Sequence, residues 1–281
     1  MDTRVAADTA AEVIRQRAGR IPRVGLICGT GFAPCTDILR DRVSIPFEEL
    51  GFRPSAIRDH VNEVDVGELD GVTVAAVKAK VLPCDGATPQ ESGLPARSLA
   101  RAGCHALLYS ANSGSMRDDV PPGSFLLFTD HINYSGFNPL STEREGGGWR
   151  TPYLSMAELY DARLTAAVRA AVENAGVTLR AGLAGYWMGP SFETPAEIRV
   201  AQAAGCAVSS NSFLPEVMAG YHAGMRVVAF TFVSTMSAGI GPPIDLGPVL
   251  DLTRKAHDDY RTILRAAVPV LGDAQVELPD A

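Results

Sequence analysis

The chain has little of what metal and redox chemistry use. Its 281 residues include five cysteines and five histidines. The cysteines are Cys28, Cys35, Cys84, Cys104 and Cys206. Their number is odd and no two stand at C-x-x-C or zinc-ribbon spacing, which argues against a disulfide framework and a structural zinc. They read as reduced thiols, and the expected location is the cytoplasm. There is no HExxH, no G-x-S-x-G and no carboxylate cluster, so no metal is expected. No run is apolar for long enough to span a bilayer, and the N-terminal stretch does not read as a signal peptide. Positive charge is also scarce: the formal net charge of -7 argues against a general nucleic-acid binder. A small anion held in a local pocket remains compatible with that charge.

What is present suits a large core. Hydrophobic residues make up 46% and charged residues 20%. Residues 3–18 read as a helix rich in Ala, Arg and Glu. RVGLIC (23–28), VTVAAVKA (72–79), HALLYS (105–110), SFLLF (124–128), TLRAGLAGYW (178–187) and RVVAFTFVST (226–235) read as strands. Helices are expected over 92–103, 155–175, from Pro195, over 215–224 and over 247–267. The polar stretch 138–152 reads as a loop. Strands alternate with helices, and several strands are apolar on both faces. The expectation is one α/β domain over 1–281, with its core at about 20–265, built on a mixed, mostly parallel sheet flanked by helices.

Several short stretches allow both a plain and a functional reading. CGTG (28–31) ends a strand; it is a tight turn or a cradle of N–H groups for an anion. His60 in a polar loop is an ordinary surface residue unless it has a partner. SANSGSMRDDVPPGS (110–124) is a closely packed loop or a ligand site at the end of a strand. Asp130 and His131 in DHIN are adjacent on a strand and point apart, which favours a structural role. Asp118 and Asp119 read as a solvated turn. In GPSFETPAEIR (189–199), Thr194 is an N-cap, Pro195 fits the first helical position and Glu197 completes a capping box. Phe192 and Glu193 are left unexplained by that helix start.

Taken in order, VGLICGTG, the RDH loop, the DG at 85–86, SGSMRDDVPPG, DHINYSGFNPL, SMAELYD, GPSFETPAEIR and FLPEVMAG with RVVAFTF resemble the trimeric, low-molecular-mass purine nucleoside phosphorylases and their methylthioadenosine phosphorylase relatives, with this chain a divergent member. The resemblance covers about residues 20–265. It implies cleavage of the bond between a purine and a ribose by inorganic phosphate, through an oxocarbenium-like transition state and without a cofactor. It also implies a homotrimer.

The resemblance also implies roles. Phe192 would lie against the purine, and Glu193 would accept hydrogen bonds from its edge. Thr235 stands where the family has an asparagine or aspartate. His60, Glu193 and Thr235 are the candidate catalytic residues. Phosphate would be met by Thr30, His60, Lys80, Asn112 and Ser212. Lys80 and Leu82 replace an arginine and a histidine, which loses the bidentate fork and one donor. Around the ribose, Cys84 replaces a tyrosine, Asn211 a methionine and Leu246 a histidine. Tyr153 keeps the aromatic ring that reaches into a neighbouring subunit's site. Each charge-assisted bond lost without replacement costs about 1.5–3 kcal/mol. Three functions follow: phosphorolysis of a purine or 5′-modified purine nucleoside, glycosidic cleavage or transfer without phosphate, and nucleoside binding without catalysis.

Overall fold

A computed structural model describes residues 2–57, 60–141 and 150–274, together with the backbone but not the side chain of Leu246. Of the RDH stretch only His60 is described, and the 138–152 loop is described only at its two ends.

The chain runs α1 (Thr3–Ala18), β1 (Val24–Ile27), β2 (Arg40–Pro46), α2 (Phe47–Leu50), β3 (Glu63–Leu69), β4 (Val72–Val77), α3 (Pro89–Ala102), β5 (Ala106–Ser115) and β6 (Phe125–Asn133). It continues with α4 (Ala162–Asn174), β7 (Leu179–Tyr186), α5 (Pro195–Ala203), β8 (Cys206–Ser210), α6 (Leu214–His222), β9 (Arg226–Met236), α7 (Leu246–Lys255) and α8 (His257–Gly272). Nine strands form one sheet in the order β2-β3-β4-β1-β5-β8-β7-β6-β9. A further pairing of β9 with β5 closes the last five strands into a ring. Pairings β1–β4, β1–β5, β5–β9, β6–β7 and β7–β8 are parallel; the others among the described residues are antiparallel. The sheet is therefore mixed, as the alternation of elements predicts.

The short strands β1 and β4 are buried on both faces because their apolar residues feed two cores in alternation. Ile27 and Val77 face a core built with α1, α3 and α6. Leu26 and Ala76 face a second core built with α4 and α8. Strand β5 is the hub. Its first half pairs with β1 and its last residues with β8 on the same side, while β9 runs along its other side. The C-terminal ends of β1 and β8 therefore converge on the second half of β5, around Ser110–Asn112; strand C-terminal ends are where open α/β sheets accept ligands.

Three expectations need correction. The helix expected over 155–175 begins only at Ala162. Asp161 caps it, accepting from Leu164 N–H at 2.8 Å. Just before, Tyr160 bridges to Val227 in extended conformation, so the preceding turn is spent on the sheet. The closing helix over 247–267 is two helices broken at Ala256. The break sets the His257 ring 2.8 Å from Gly31 O. Finally, β2 and β3 have no counterpart in the expected strands. β2 is the outermost strand and exposes Arg40, Asp41 and Arg42, so it lacks an apolar run.

Candidate functional site

The CGTG turn is held from beneath. Gly29 N–H donates to Ser110 Oγ at 2.6 Å, and Ser110 Oγ donates to Ile27 O at 3.1 Å. Ser110 Oγ also lies 2.7 Å from the Tyr260 hydroxyl. Two glycines are required here. A Cβ on Gly29 would stand 2.9 Å from Asn112 Oδ1 and 3.2 Å from Ala111 O. Gly31 has φ +84°, in the left-handed region, and a Cβ there would meet Thr253 at 2.9 Å. The turn thus packs directly on the middle of β5, beside Asn112.

His60 has the partners that its lone position in the sequence did not reveal. Its Nε2 lies 3.0 Å from Thr30 Oγ1 and its Nδ1 lies 2.7 Å from Ser55 Oγ. Nδ1 also accepts from Lys80 N–H at 3.4 Å. Ser55 Oγ accepts from Ile57 N–H at 3.3 Å, which leaves its own proton for Nδ1. This network assigns the ring proton to Nε2, facing Thr30. Burial, and then the nearby Lys80 charge, push the His60 pKa down to about 4. At neutral pH the ring is therefore a neutral donor aimed at the turn.

Lys80 is 1% exposed. Its ammonium donates to Ser110 O at 2.6 Å and Ser212 O at 3.2 Å, and lies 4.5 Å from the Tyr109 ring centroid. The Tyr109 hydroxyl also donates to Ser212 O. Thr30, His60, Lys80, Asn112 and Ser212, named together as phosphate contacts, come from separate segments and sit where β1 and β8 converge on β5. Ser210 ties the last two strands together by donating to Asn112 O at 3.0 Å.

A second group gathers at Gly189. A Cβ on that glycine (φ +71°) would stand 3.0 Å from Asn211 Nδ2 and 3.5 Å from Cys84 Cβ. The two residues expected near a sugar are therefore neighbours across the GPSFET loop. All five cysteines are free thiols, as expected.

A third group forms around Glu193. The capping box of α5 is present: Thr194 N–H donates to Glu197 Oε2 at 2.7 Å and Glu197 N–H to Thr194 Oγ1 at 3.3 Å. The cap fixes the chain one residue before it, and Glu193 turns inward to 7% exposure. Its Oε1 is buried with no hydrogen-bond partner. Burial raises its pKa, offset in part by its own N–H and by the Ser209 hydroxyl. An unpaired buried acceptor is costly unless a ligand supplies the donor. Register places Ser209 opposite Gly114 on one side of β5, and Thr235 opposite the same residue on the other. The Thr235 hydroxyl is turned to its neighbour, donating to Met236 O at 3.2 Å.

Two residues expected at the site stand open to solvent. Phe192 is 53% exposed and Tyr153 is 90% exposed. The Leu246 side chain lies outside what the structure describes, though the residue opens α7. The DHIN pair is structural: His131 Nδ1 lies 3.1 Å from the Tyr160 hydroxyl, its ring packs on Phe213, and Asp130 Oδ1 accepts the His131 N–H at 2.8 Å. Asp119 pairs with Arg117 in an exposed turn.

Ser55, Ser110, Tyr109 and Glu216 were missed by sequence reasoning. Glu216 had a signal. Every residue of α6 is buried, and LPEVMAGYH is apolar around its whole circumference, so a carboxylate within it is buried too. The small serines had none, since their roles depend on which strand ends meet.

The profile of the phosphorylase superfamily matches residues 23–269. Purine nucleoside phosphorylase 1 of Geobacillus stearothermophilus is 30% identical over 268 residues, covering 94% of this chain and 97% of that protein. The Bacillus subtilis protein of the same name is 30% identical over 264 residues, covering 93% and 97%. In fold, the chain is similar to isoform 2 of purine nucleoside phosphorylase from Schistosoma mansoni, solved with cytosine and ribose-1-phosphate. That match has a TM-score of 0.88 at 23% identity and covers 97% of this chain and 98% of that one. Helices are present throughout, but none among the described residues is long and apolar enough to cross a membrane. With the superfamily profile spanning nearly the whole sheet and full-length relatives at 30% identity, the chain belongs to the purine nucleoside phosphorylase family of the phosphorylase superfamily.

Proposed function

We propose that the protein cleaves the N-glycosidic bond of a purine nucleoside with inorganic phosphate. One observation carries this reading. Along the second half of β5, a donor pair (His60 Nε2–H and Thr30) lies on the β1 side, and a buried carboxylate with a free oxygen (Glu193 Oε1) lies by β8. Donors suit an anion, and the free acceptor suits the N–H edge of a purine. Cys84 and Asn211 border the space for the ribose. The names of the curated relatives agree with this reading.

In the reaction, a phosphate oxygen bonds to the anomeric carbon as the carbon–nitrogen bond breaks. The electron pair passes to the purine, which leaves as free base carrying the proton that monohydrogen phosphate brought, and ribose 1-phosphate dianion is the second product. Thr30, His60, Asn112 and Ser212 hold the phosphate. Glu193 holds the base, Phe192 covers its face, and Thr235 lies at the same strand end. No cofactor takes part. Tyr153, almost fully exposed in the single chain, supplies its ring to a neighbouring subunit of a homotrimer. The cytoplasm fits its free thiols. A panel of purine nucleosides incubated with and without phosphate tests the proposal: free base and ribose 1-phosphate are expected, and absence of phosphate-dependent turnover across the panel would sink it.

One observation favours a second reading. The cation at position 80 is spent on main-chain carbonyls, and Leu82 is buried rather than a donor. A poorer anion site leaves room for water as nucleophile. Base release indifferent to phosphate would support that reading; ligand-induced thermal stabilisation without turnover would support binding alone.

A further inference from the structure

Glu216 and Lys80 are the two most deeply buried opposite charges near the site. Glu216 sits one helical turn after Ser212 at the start of α6 and is 1% exposed. Neither of its carboxylate oxygens has a hydrogen-bond partner. Among the described residues Lys80 makes no bond to a carboxylate; its ammonium holds the carbonyls of Ser110 and Ser212. Those residues belong to different elements, the middle of β5 and the approach to α6. Ser110 also supports the CGTG turn through Gly29 N–H. The Lys80 main chain donates to His60 Nδ1 and so helps to aim the other ring nitrogen. One residue therefore touches three supports of the anion site while showing almost nothing to solvent.

The geometry points to Lys80 as a positioning residue: its ammonium clamps β5 to the start of α6 beneath the anion site, and Glu216, buried without a hydrogen-bond partner at that same helix start, is its counter-charge. This rests on the phosphorolysis reading for its consequence, but not for its structure. The site gains a positive charge below the phosphate without a direct contact, which is a different solution from a guanidinium fork facing the anion.

The charged and titratable groups around the pair are few. Lys80 is faced by Glu216 from α6, Cys28 at the end of β1, and His60 from the loop before β3, and it lies over Tyr109 of β5. Glu216 acts on Tyr109, on Tyr186 of β7 and on Cys84. Burial lowers Lys80 to about 8, with Glu216 opposing the fall; burial raises Glu216 to about 7, with Lys80 opposing the rise. Each group holds the other nearer to its charged form, so removing one partner should move the titration of the other.

A ligand-free melting cycle tests the clamp on the full chain. K80M and E216Q are each expected to melt about 5 °C or more below wild type, because each strands a buried charge or its former counter-charge. The double variant is expected to regain at least half of the summed loss. Additive losses would overturn the pairing. If K80M does not fold, E216Q with K80R decides. K80R is expected to raise the phosphate KM several-fold, because a planar fork cannot occupy the slot between two carbonyls. A folded K80R with a lower phosphate KM would mean that residue 80 contacts the anion directly, and would overturn the proposal. In E216Q the upper pH limb of kcat/KM for phosphate is expected about one unit lower, with the nucleoside KM within twofold; an unmoved limb counts against Glu216 as counter-charge. Wild-type turnover indifferent to phosphate would overturn phosphorolysis alone, since the melting cycle contains no phosphate.

Discussion

Burial holds Glu193 above the ordinary carboxylate range. The ionised form is the one that accepts two hydrogen bonds from a purine edge. Activity that depends on it is present above the raised pKa and lost as pH falls through it. The acid limb of nucleoside kcat/KM is therefore expected above the pH at which a solvated glutamate titrates. E193Q should abolish that limb and cost about 10–100-fold in kcat/KM, the value of one hydrogen bond to a charged group. A limb that persists in E193Q would assign it elsewhere. Ser55 allows a second test at this scale. S55A frees His60 Nδ1 to take the proton, so a fraction of rings turn an acceptor toward Thr30. Phosphate KM should rise by a factor of about three to ten, with nucleoside KM unchanged. His60 itself is neutral down to about pH 4, so it contributes stability at neutral pH that is lost as pH falls from its ordinary value through the lowered one. How much of this was legible varies by residue. Glu193 stood out in the sequence because the helix cap explained its neighbours and not it. The state of His60 could not be read, since Ser55, Thr30 and Lys80 reach it from separate segments.

Helix α5 shows how an element serves the site. Its capping box sets where the chain turns, and with it the inward direction of Glu193. T194A removes the cap and should lower stability by about 1 kcal/mol. That corresponds to a fall of a few degrees in Tm, with an accompanying rise in nucleoside KM. An unchanged nucleoside KM would show that the cap stabilises the helix without orienting Glu193. The cap was readable because its residues are local: serine-like oxygen, proline and glutamate at fixed spacing. Elements whose limits depend on distant partners were not. Nothing in SMAELYD breaks a helical pattern, yet Tyr160 pairs with Val227 and delays α4 to Ala162. The break at Ala256 is equally hidden, because its reason is a bond from His257 to a turn 226 residues earlier.

At the scale of the whole molecule, the exposed rings of Tyr153 and Phe192 set an expectation for assembly. If Tyr153 acts in a neighbour's site, two impaired variants should complement. Y153A and E193Q, unfolded or dissociated and mixed, should regain a substantial share of wild-type activity, because some sites in the hybrid carry neither lesion. No recovery beyond the sum of the separate variants would place Tyr153 outside its neighbour's site. Sedimentation of the wild type should give three times the mass of one chain.

The closure of β5, β8, β7, β6 and β9 into a ring has a further consequence for solubility. In the ring each strand has a neighbour on both sides over part of its length, and among the described residues β2 is the strand with a neighbour on one side alone. This outer strand shows Arg40, Asp41 and Arg42 to water and ends at Pro46, which lacks an amide proton. A stray extended segment meeting this outer side thus finds a rail that is charged and cut short. A variant that replaces Arg40 and Arg42 with valine should therefore precipitate more readily than wild type.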